Sequence, residues 1–184
     1  HAILPDRIEA ATYLAAAAIT GGEITVYASP EHLAAPLAAR RRMGCRITTG
    51  EQSITLTAPE HLQGAGSIVT LPYPGFPTDL QAIFMALAAA AEGYTAFTET
   101  VFPRRWAHVE ELRRLGADIT VVGSHAVIRG AHLIGIPLSC TELRAGAAVR
   151  VAGGAAKGES SVTAISHIER GYADFVPTLR HLGA

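Results

Sequence analysis

No stretch of this sequence is apolar for long enough to cross a membrane. The alanine-rich runs at residues 15–19 and 87–91 both meet glycine within a few positions, whereas a spanning helix needs roughly 20 apolar residues. A secretory leader is also lacking, so we expect a cytoplasmic protein that makes no membrane contact. Because the chain opens at His1 and stops at Ala184 directly after a helical pattern, we expect a piece of a longer protein.

Charge and cysteine are scarce as well. Charged residues make up 17% of the chain and the formal net charge is −1, which argues against a nucleic-acid-binding surface. The one dense basic run, Arg40-Arg41-Arg42, closes a predicted helix, where cations interact favourably with the helix dipole. Cys45 and Cys140 lack the spacing of metal ligands and are expected to be small buried hydrophobes. We therefore expect no metal site.

Apolar residues are plentiful, and they repeat in three units. Each unit begins with an acidic residue (Asp6, Asp79 or Glu142), followed by an alanine-rich helical pattern that is apolar nearly all round. We place the units at about residues 3–70, 71–138 and 139–184, the third being incomplete. The pattern predicts an α/β fold of pseudo-threefold symmetry with alanine-rich helices inside.

Glycines mark the predicted ends of the inner helices. Gly21, Gly93 and Gly158 follow the three helical patterns, as left-handed caps would. The strands predicted from β-branched or alternating residues are at 24–26, 53–56, 95–101, 126–129 and 160–165.

Three residues disagree with the helical patterns around them. Pro36 and Pro177 fall within second helices of their units, where a proline beyond the first turn costs about 3 kcal/mol. Those helices are expected to begin late or to kink. Arg150 lies midway along the third inner helix and needs a carboxylate or a polar cavity there.

A proline-rich segment at residues 71–82 places Thr78 and Asp79 at the start of the second inner helix. On chemistry alone, the simplest interpretation is N-capping, since both side chains accept hydrogen bonds from first-turn amides. The alternative is that Asp79 belongs to a functional site.

Six segments along nearly the whole chain resemble the UDP-N-acetylglucosamine enolpyruvyl transferase family. They are LPDRIEA (4–10), PYPGFPTDLQA (72–82), TETVF (98–102), HVEELRRLGA (108–117), ELRA (142–145) and HIERGY (167–172). The resemblance implies one of two similar domains, the one built mainly from the C-terminal half. Each domain is an inside-out α/β barrel of three βαβαββ-type repeats, and the active site lies in the cleft between them. The related shikimate-pathway enolpyruvyl transferase, which is not expected to share the Pro-Gly-Phe-Pro-Thr-Asp loop at residues 74–79, is the alternative enzyme.

The resemblance also implies a reaction. Members move the enolpyruvyl group of phosphoenolpyruvate to the 3-hydroxyl of UDP-N-acetylglucosamine, with release of phosphate, for peptidoglycan synthesis. This chemistry needs cations for a carboxylate and a phosphate, a base for the hydroxyl and an acid for the methylene carbon. It needs no cofactor. The family's cysteine acid and its phosphoenolpyruvate-binding lysine match nothing here, so the resemblance implies a complementary N-terminal-half domain as partner and an inactive isolated chain.

Residue by residue, the resemblance gives two candidate catalytic residues, Asp79 and Arg170. Asp79 matches the aspartate at the sugar hydroxyl, and Arg170 matches an arginine at the phosphoenolpyruvate end. Arg144 and Arg105 match further arginines there, and guanidinium groups suit carboxylate and phosphate. Val101 matches a position that contacts the nucleotide through its backbone.

Two positions depart from the family. Glu142, a candidate substrate-binding residue, stands where the family usually has aspartate, and Arg150 replaces an aliphatic residue. A carboxylate displaced by about an ångström can be costly in a preorganised site. Two non-catalytic interpretations stay open: a nucleotide-sugar-binding module, and a purely structural domain that binds no ligand.

Overall fold

The computed structural model describes residues 3–139, 143–163, 171–172 and 174–182. Over these residues, the helices are α1 (Arg7–Thr20), α2 (Ala34–Arg42), α3 (Gln81–Ala90), α4 (Val109–Arg114), α5 (Leu143–Ala155) and α6 (Phe175–His181). The strands are β1 (Glu23–Val26), β2 (Arg46–Thr49), β3 (Ile54–Thr57), β4 (Gly66–Val69), β5 (Tyr94–Thr98), β6 (Asp118–Val122), β7 (His125–Arg129), β8 (Pro137–Ser139) and β9 (Ser161–Thr163). Short 3-10 helices at Pro30–Leu33 and Thr78–Leu80 lead into α2 and α3. Within these ranges every helix is too short or too polar to cross a membrane.

The three alanine-rich helices pack against one another in the core. Contacts join α3 to α5, α1 to α5 and α1 to α3. Nine of the ten residues of α3 are buried, which agrees with its apolar pattern and leaves no face for water. The prediction of internal helices is confirmed.

The helix ends follow local chemistry. Asp6 caps α1 by accepting hydrogen bonds from the amides of Ile8 (2.7 Å) and Glu9 (3.2 Å), and Gly21 closes it with φ 78°. The prediction for Gly93 is wrong in detail: α3 ends at Ala90, and its C-cap residue Ala91 is extended. Gly93, at φ 87°, instead forms the turn into β5.

Both prolines are accommodated by a late helix start, as expected. Pro36 is the third residue of α2 and Pro177 the third of α6, so each lies in a first turn whose amides have no intrahelical acceptor. Arg150 is half-buried.

The basic run at the end of α2 does more than complement a helix dipole. Arg40 is fully buried, its guanidinium lies 4.5 Å from the centre of the Phe84 ring, and its Nη2 donates to the Ala11 carbonyl. Burial lowers the pKa of Arg40 to about 10. Arg40 therefore joins α2 to α1 and α3 from inside, which the sequence did not indicate.

The described strands form three sheets, two of which join strands of successive predicted units. Their strand orders are β1-β3-β2, β4-β5-β7-β6 and β8-β9, with β4–β5 and β8–β9 parallel and the other pairs antiparallel. The last strand of the first predicted unit thus pairs with the first strand of the second. The same holds between the second and third units.

One strand prediction is partly wrong. β5 stops at Thr98, whereas the sequence pattern continued to residue 101. The chain turns there because the carboxylate of Glu99 accepts the backbone N–H groups of Val101 and Phe102, both at 2.9 Å. Those amides are consequently turned toward a side chain rather than toward a neighbouring strand.

Candidate active site

The structure brings three of the predicted site residues together. Asp79 lies in the 3-10 helix that leads into α3, Arg105 in the loop after β5, and Arg144 in the first turn of α5. Arg105 Nη2 donates to Asp79 Oδ1 at 2.9 Å, and Arg144 Nε lies 3.6 Å from the same oxygen. The starts of two inner helices thereby meet at one carboxylate.

The capping interpretation of this loop is wrong. Neither Thr78 nor Asp79 makes a side-chain cap bond, and Leu80 occupies the N-cap position of α3. Both side chains turn instead toward Arg105, whose Nη1 donates to Thr78 Oγ1 at 3.2 Å. The two residues that the sequence placed at a helix start therefore belong to a polar cluster.

The cluster suits an anionic ligand. The side chains of Arg105 and Arg144 are largely buried, while that of Asp79 is 41% exposed. Two guanidinium groups flank the partly exposed Asp79 carboxylate, while the carboxylate of Glu99 is buried and hydrogen-bonded to Thr78. The Nε of Arg144 is buried and has no hydrogen-bond partner among the described residues, so it keeps an N–H to offer.

Arg144 is held by a chain of hydroxyl groups. Its Nη1 donates to the Tyr172 hydroxyl at 3.1 Å, and that hydroxyl lies 3.0 Å from Thr12 Oγ1, which donates to the Ile8 carbonyl at 2.9 Å. Because the Thr12 proton goes to the carbonyl, the Tyr172 hydroxyl donates to Thr12 and accepts from Arg144. Sequence reasoning assigned no role to Tyr172 or Thr12.

Glu99 was also missed. It is 1% exposed and its carboxylate joins the loop before α3 to the turn after β5, since it accepts from Thr78 and from the amides of Val101 and Phe102. The available signal was a lone carboxylate inside the strand predicted at 95–101. A charge at that position is costly to bury without partners.

Of the remaining predicted site residues, the structure describes Val101 alone. Val101 lies beside the cluster with its amide committed to Glu99, and its side chain is half-buried. An open cavity next to it is lined by Phe102, Pro103, Arg104 and Arg105. The predicted residues Glu142 and Arg170, like Cys140, lie outside the described residues. No group of three potential metal ligands occurs in the part of the chain that the structure describes.

Comparison with known proteins gives consistent matches along the chain. The family model described as EPSP synthase (3-phosphoshikimate 1-carboxyvinyltransferase) matches residues 1–179. UDP-N-acetylglucosamine 1-carboxyvinyltransferase 1 from Symbiobacterium thermophilum is 48% identical over 100% of this chain and 42% of its own length. The UDP-N-acetylglucosamine 1-carboxyvinyltransferase of Magnetococcus marinus is 46% identical over 100% of this chain and 44% of its own length. The chain thus spans less than half the length of these curated relatives.

Solved structures agree with these matches. The enolpyruvyl transferase NikO from Streptomyces tendae superposes with a TM-score of 0.88 at 28% identity, over 99% of this chain and 44% of that one. EPSP synthase from Acinetobacter baumannii superposes with a TM-score of 0.73 at 17% identity, over 97% of this chain and 46% of that one. At that identity the second likeness concerns the fold.

Proposed function

This chain belongs to the EPSP synthase family of enolpyruvyl transferases, and from that premise we propose that it is one half of a UDP-N-acetylglucosamine enolpyruvyl transferase. The reaction transfers the enolpyruvyl group of phosphoenolpyruvate to the 3-hydroxyl of the sugar nucleotide, a step of peptidoglycan synthesis in the cytoplasm. A complementary N-terminal-half domain supplies the rest of the site, and the isolated chain is inactive.

The choice of acceptor substrate rests on the sequence identity of this chain to its relatives. Relatives named for UDP-N-acetylglucosamine are 46–48% identical along the entire chain, whereas the EPSP synthase structures are 17–20% identical. The loop containing Thr78 and Asp79, which shikimate-pathway enzymes are not expected to share, also carries the central carboxylate of the cluster. Both observations favour the nucleotide sugar over a shikimate acceptor.

The cluster supports a division of roles. Asp79 accepts the proton of the sugar 3-hydroxyl while the hydroxyl oxygen bonds to the central carbon of phosphoenolpyruvate. An acid from the complementary half protonates the methylene carbon, and loss of phosphate and a proton then restores the double bond. Arg144, Arg105 and Arg170 hold the carboxylate and phosphate.

Two further residues complete the proposed site. Val101 contacts the nucleotide from the turn after β5, next to the open cavity at Phe102. Glu142, which precedes Leu143 in the sequence, is the further substrate-binding candidate, with one methylene more than the aspartate usual in the family.

The finer architecture is part of the same proposal. Three repeats, at about residues 3–70, 71–138 and 139–184, form an inside-out α/β barrel around α1, α3 and α5. The mutual packing of those helices supports this arrangement, as does the parallel strand pairing that joins one unit to the next.

The test is phosphate release from phosphoenolpyruvate by the protein that contains this chain together with its complementary half. We expect turnover with UDP-N-acetylglucosamine and none with shikimate 3-phosphate. Asp79→Asn should lower kcat by roughly 100- to 10,000-fold with a small change in KM, because it removes the base and not the cations. Asp118→Asn, on an exposed strand, is the matched control. Wild-type activity in Asp79→Asn would show that Asp79 is not the base.

A further inference from the structure

We propose that Glu99 is a positioning residue for enolpyruvyl transfer, fixing Arg105 against Asp79 by setting the direction of the hydrogen bonds around Thr78. The inference rests on the proposed function for its kinetic consequence. Its structural part, the orientation of Arg105, stands on the contacts of Glu99 alone.

Both carboxylate oxygens of Glu99 are in use. Oε1 accepts from Thr70 Oγ1 at 2.8 Å and from the amides of Val101 and Phe102 at 2.9 Å each. Oε2 accepts from Thr78 Oγ1 at 3.0 Å. Among the described residues the carboxylate makes no ion pair, so four neutral donors offset its burial.

The carboxylate fixes which way the Thr78 hydroxyl points. An ionised carboxylate only accepts hydrogen bonds, so the Thr78 proton lies on the side of Glu99. A lone pair of Thr78 Oγ1 is thereby left for Arg105 Nη1, at 3.2 Å. The other terminal nitrogen of Arg105 then reaches Asp79 Oδ1 at 2.9 Å.

The same carboxylate also determines the backbone that carries Arg105. By accepting the amides of Val101 and Phe102, Glu99 closes the turn after β5. The Phe102 carbonyl accepts the Arg105 amide at 2.9 Å, and the Phe102 ring lies 5.4 Å from the guanidinium carbon of Arg105. Both the main chain and the side chain of Arg105 are therefore tied to Glu99.

A carboxylate has an acceptor position for each of these four donors. Glutamine has the same shape but would present an NH2 group to at least one of them. With the NH2 group in place of Oε2, the Thr78 oxygen becomes an acceptor on that side. Its proton then loses the acceptor that held it away from Arg105, so the lone pair offered to Arg105 Nη1 is no longer fixed in direction.

The variants that test this are Glu99→Gln, Thr78→Val and Thr78→Ser, in the protein comprising this chain and its complementary half. We expect Glu99→Gln and Thr78→Val each to lower kcat about 100-fold with little change in KM, as a misplacement of about an ångström does. The double variant should be no worse than Glu99→Gln alone, because both act through one contact. Thr78→Ser keeps the hydroxyl and should restore the rate. Glu110→Gln, in an exposed ion pair, is the control.

A second readout separates this inference from the proposed function. The Nε–H resonance of Arg105, followed by nuclear magnetic resonance, should shift in Glu99→Gln and Thr78→Val but not in Thr78→Ser or the control. An unmoved resonance, or additive losses in the double variant, overturns the positioning role. If the resonance moves while turnover stays at the wild-type level, Glu99 positions Arg105 as proposed and the assigned catalytic role of the cluster is wrong.

Discussion

At the scale of single residues, His108 lies in a buried site that disfavours its protonated form. It is buried against Met85, with Nε2 3.0 Å from the sulfur, and its Nδ1 is buried without a hydrogen-bond partner among the described residues. Burial, and to a lesser extent the positive charge of Arg105, lowers the pKa of His108 to about 3. The folded protein therefore keeps this imidazole neutral.

The consequence is a loss of stability in acid. Between pH 6.5 and 3 the unfolded chain binds a proton at His108 that the folded chain does not, so stability falls as pH is lowered through this window. At pH 5 the loss attributable to His108 is about 2 kcal/mol. Denaturant unfolding at a series of pH values should show a shallower decline in His108→Leu. The exposed His61→Leu should retain the wild-type slope, and equal slopes in all three proteins would rule the mechanism out.

How far the site could be predicted also depends on single residues. Asp79, Arg105 and Arg144 are recognisable because their neighbours in sequence form motifs, and the structure brings them together. The contacts of Glu99 with Thr78 and of Tyr172 with Thr12 span 21 and 160 residues, so no local pattern reports these partners.

At the scale of elements, the inner helices have no space for larger side chains. Ala147 is fully buried on α5, which packs against both α1 and α3. Ala147→Leu should destabilise the protein by about 3 kcal/mol, because added methylenes force neighbouring backbones apart. Ala38→Leu, at an exposed position of α2, should change stability by less than about 0.5 kcal/mol. Thermal or denaturant unfolding measures the stability of both variants. If Ala147→Leu destabilises the protein no more than Ala38→Leu does, the inner helices can move apart at little cost.

The elements themselves were largely predictable, for physical reasons that differ along the chain. The cap at Asp6 and the first-turn placement of Pro36 follow from backbone chemistry within one helical turn. The end of β5 does not, since β-branched residues continue past Thr98 and only the buried carboxylate of Glu99 turns the chain. Arg40 likewise reads as a surface cation until α1 and α3 enclose it.

At the scale of the whole molecule, β1 lies at the edge of its sheet and Tyr27 beside it is 80% exposed. Open strand edges pair with other strands, so we expect the chain on its own to self-associate at high concentration. Tyr27→Lys should weaken the association, whereas Tyr94→Lys, within a sheet and 62% exposed, should not. Light scattering over a concentration series measures this. A monomeric mass for the unaltered chain at the highest concentration would show that the edge is protected.

The parallel pairing between units also bears on how the molecule comes apart. β4 belongs to the first unit by sequence but completes the sheet of the second, and β8 stands in the same relation to β9. Unfolding of one unit would remove an edge strand from the sheet of the next unit and a helix from the shared core. We therefore expect the three proposed units to unfold together, in one cooperative transition, rather than one by one.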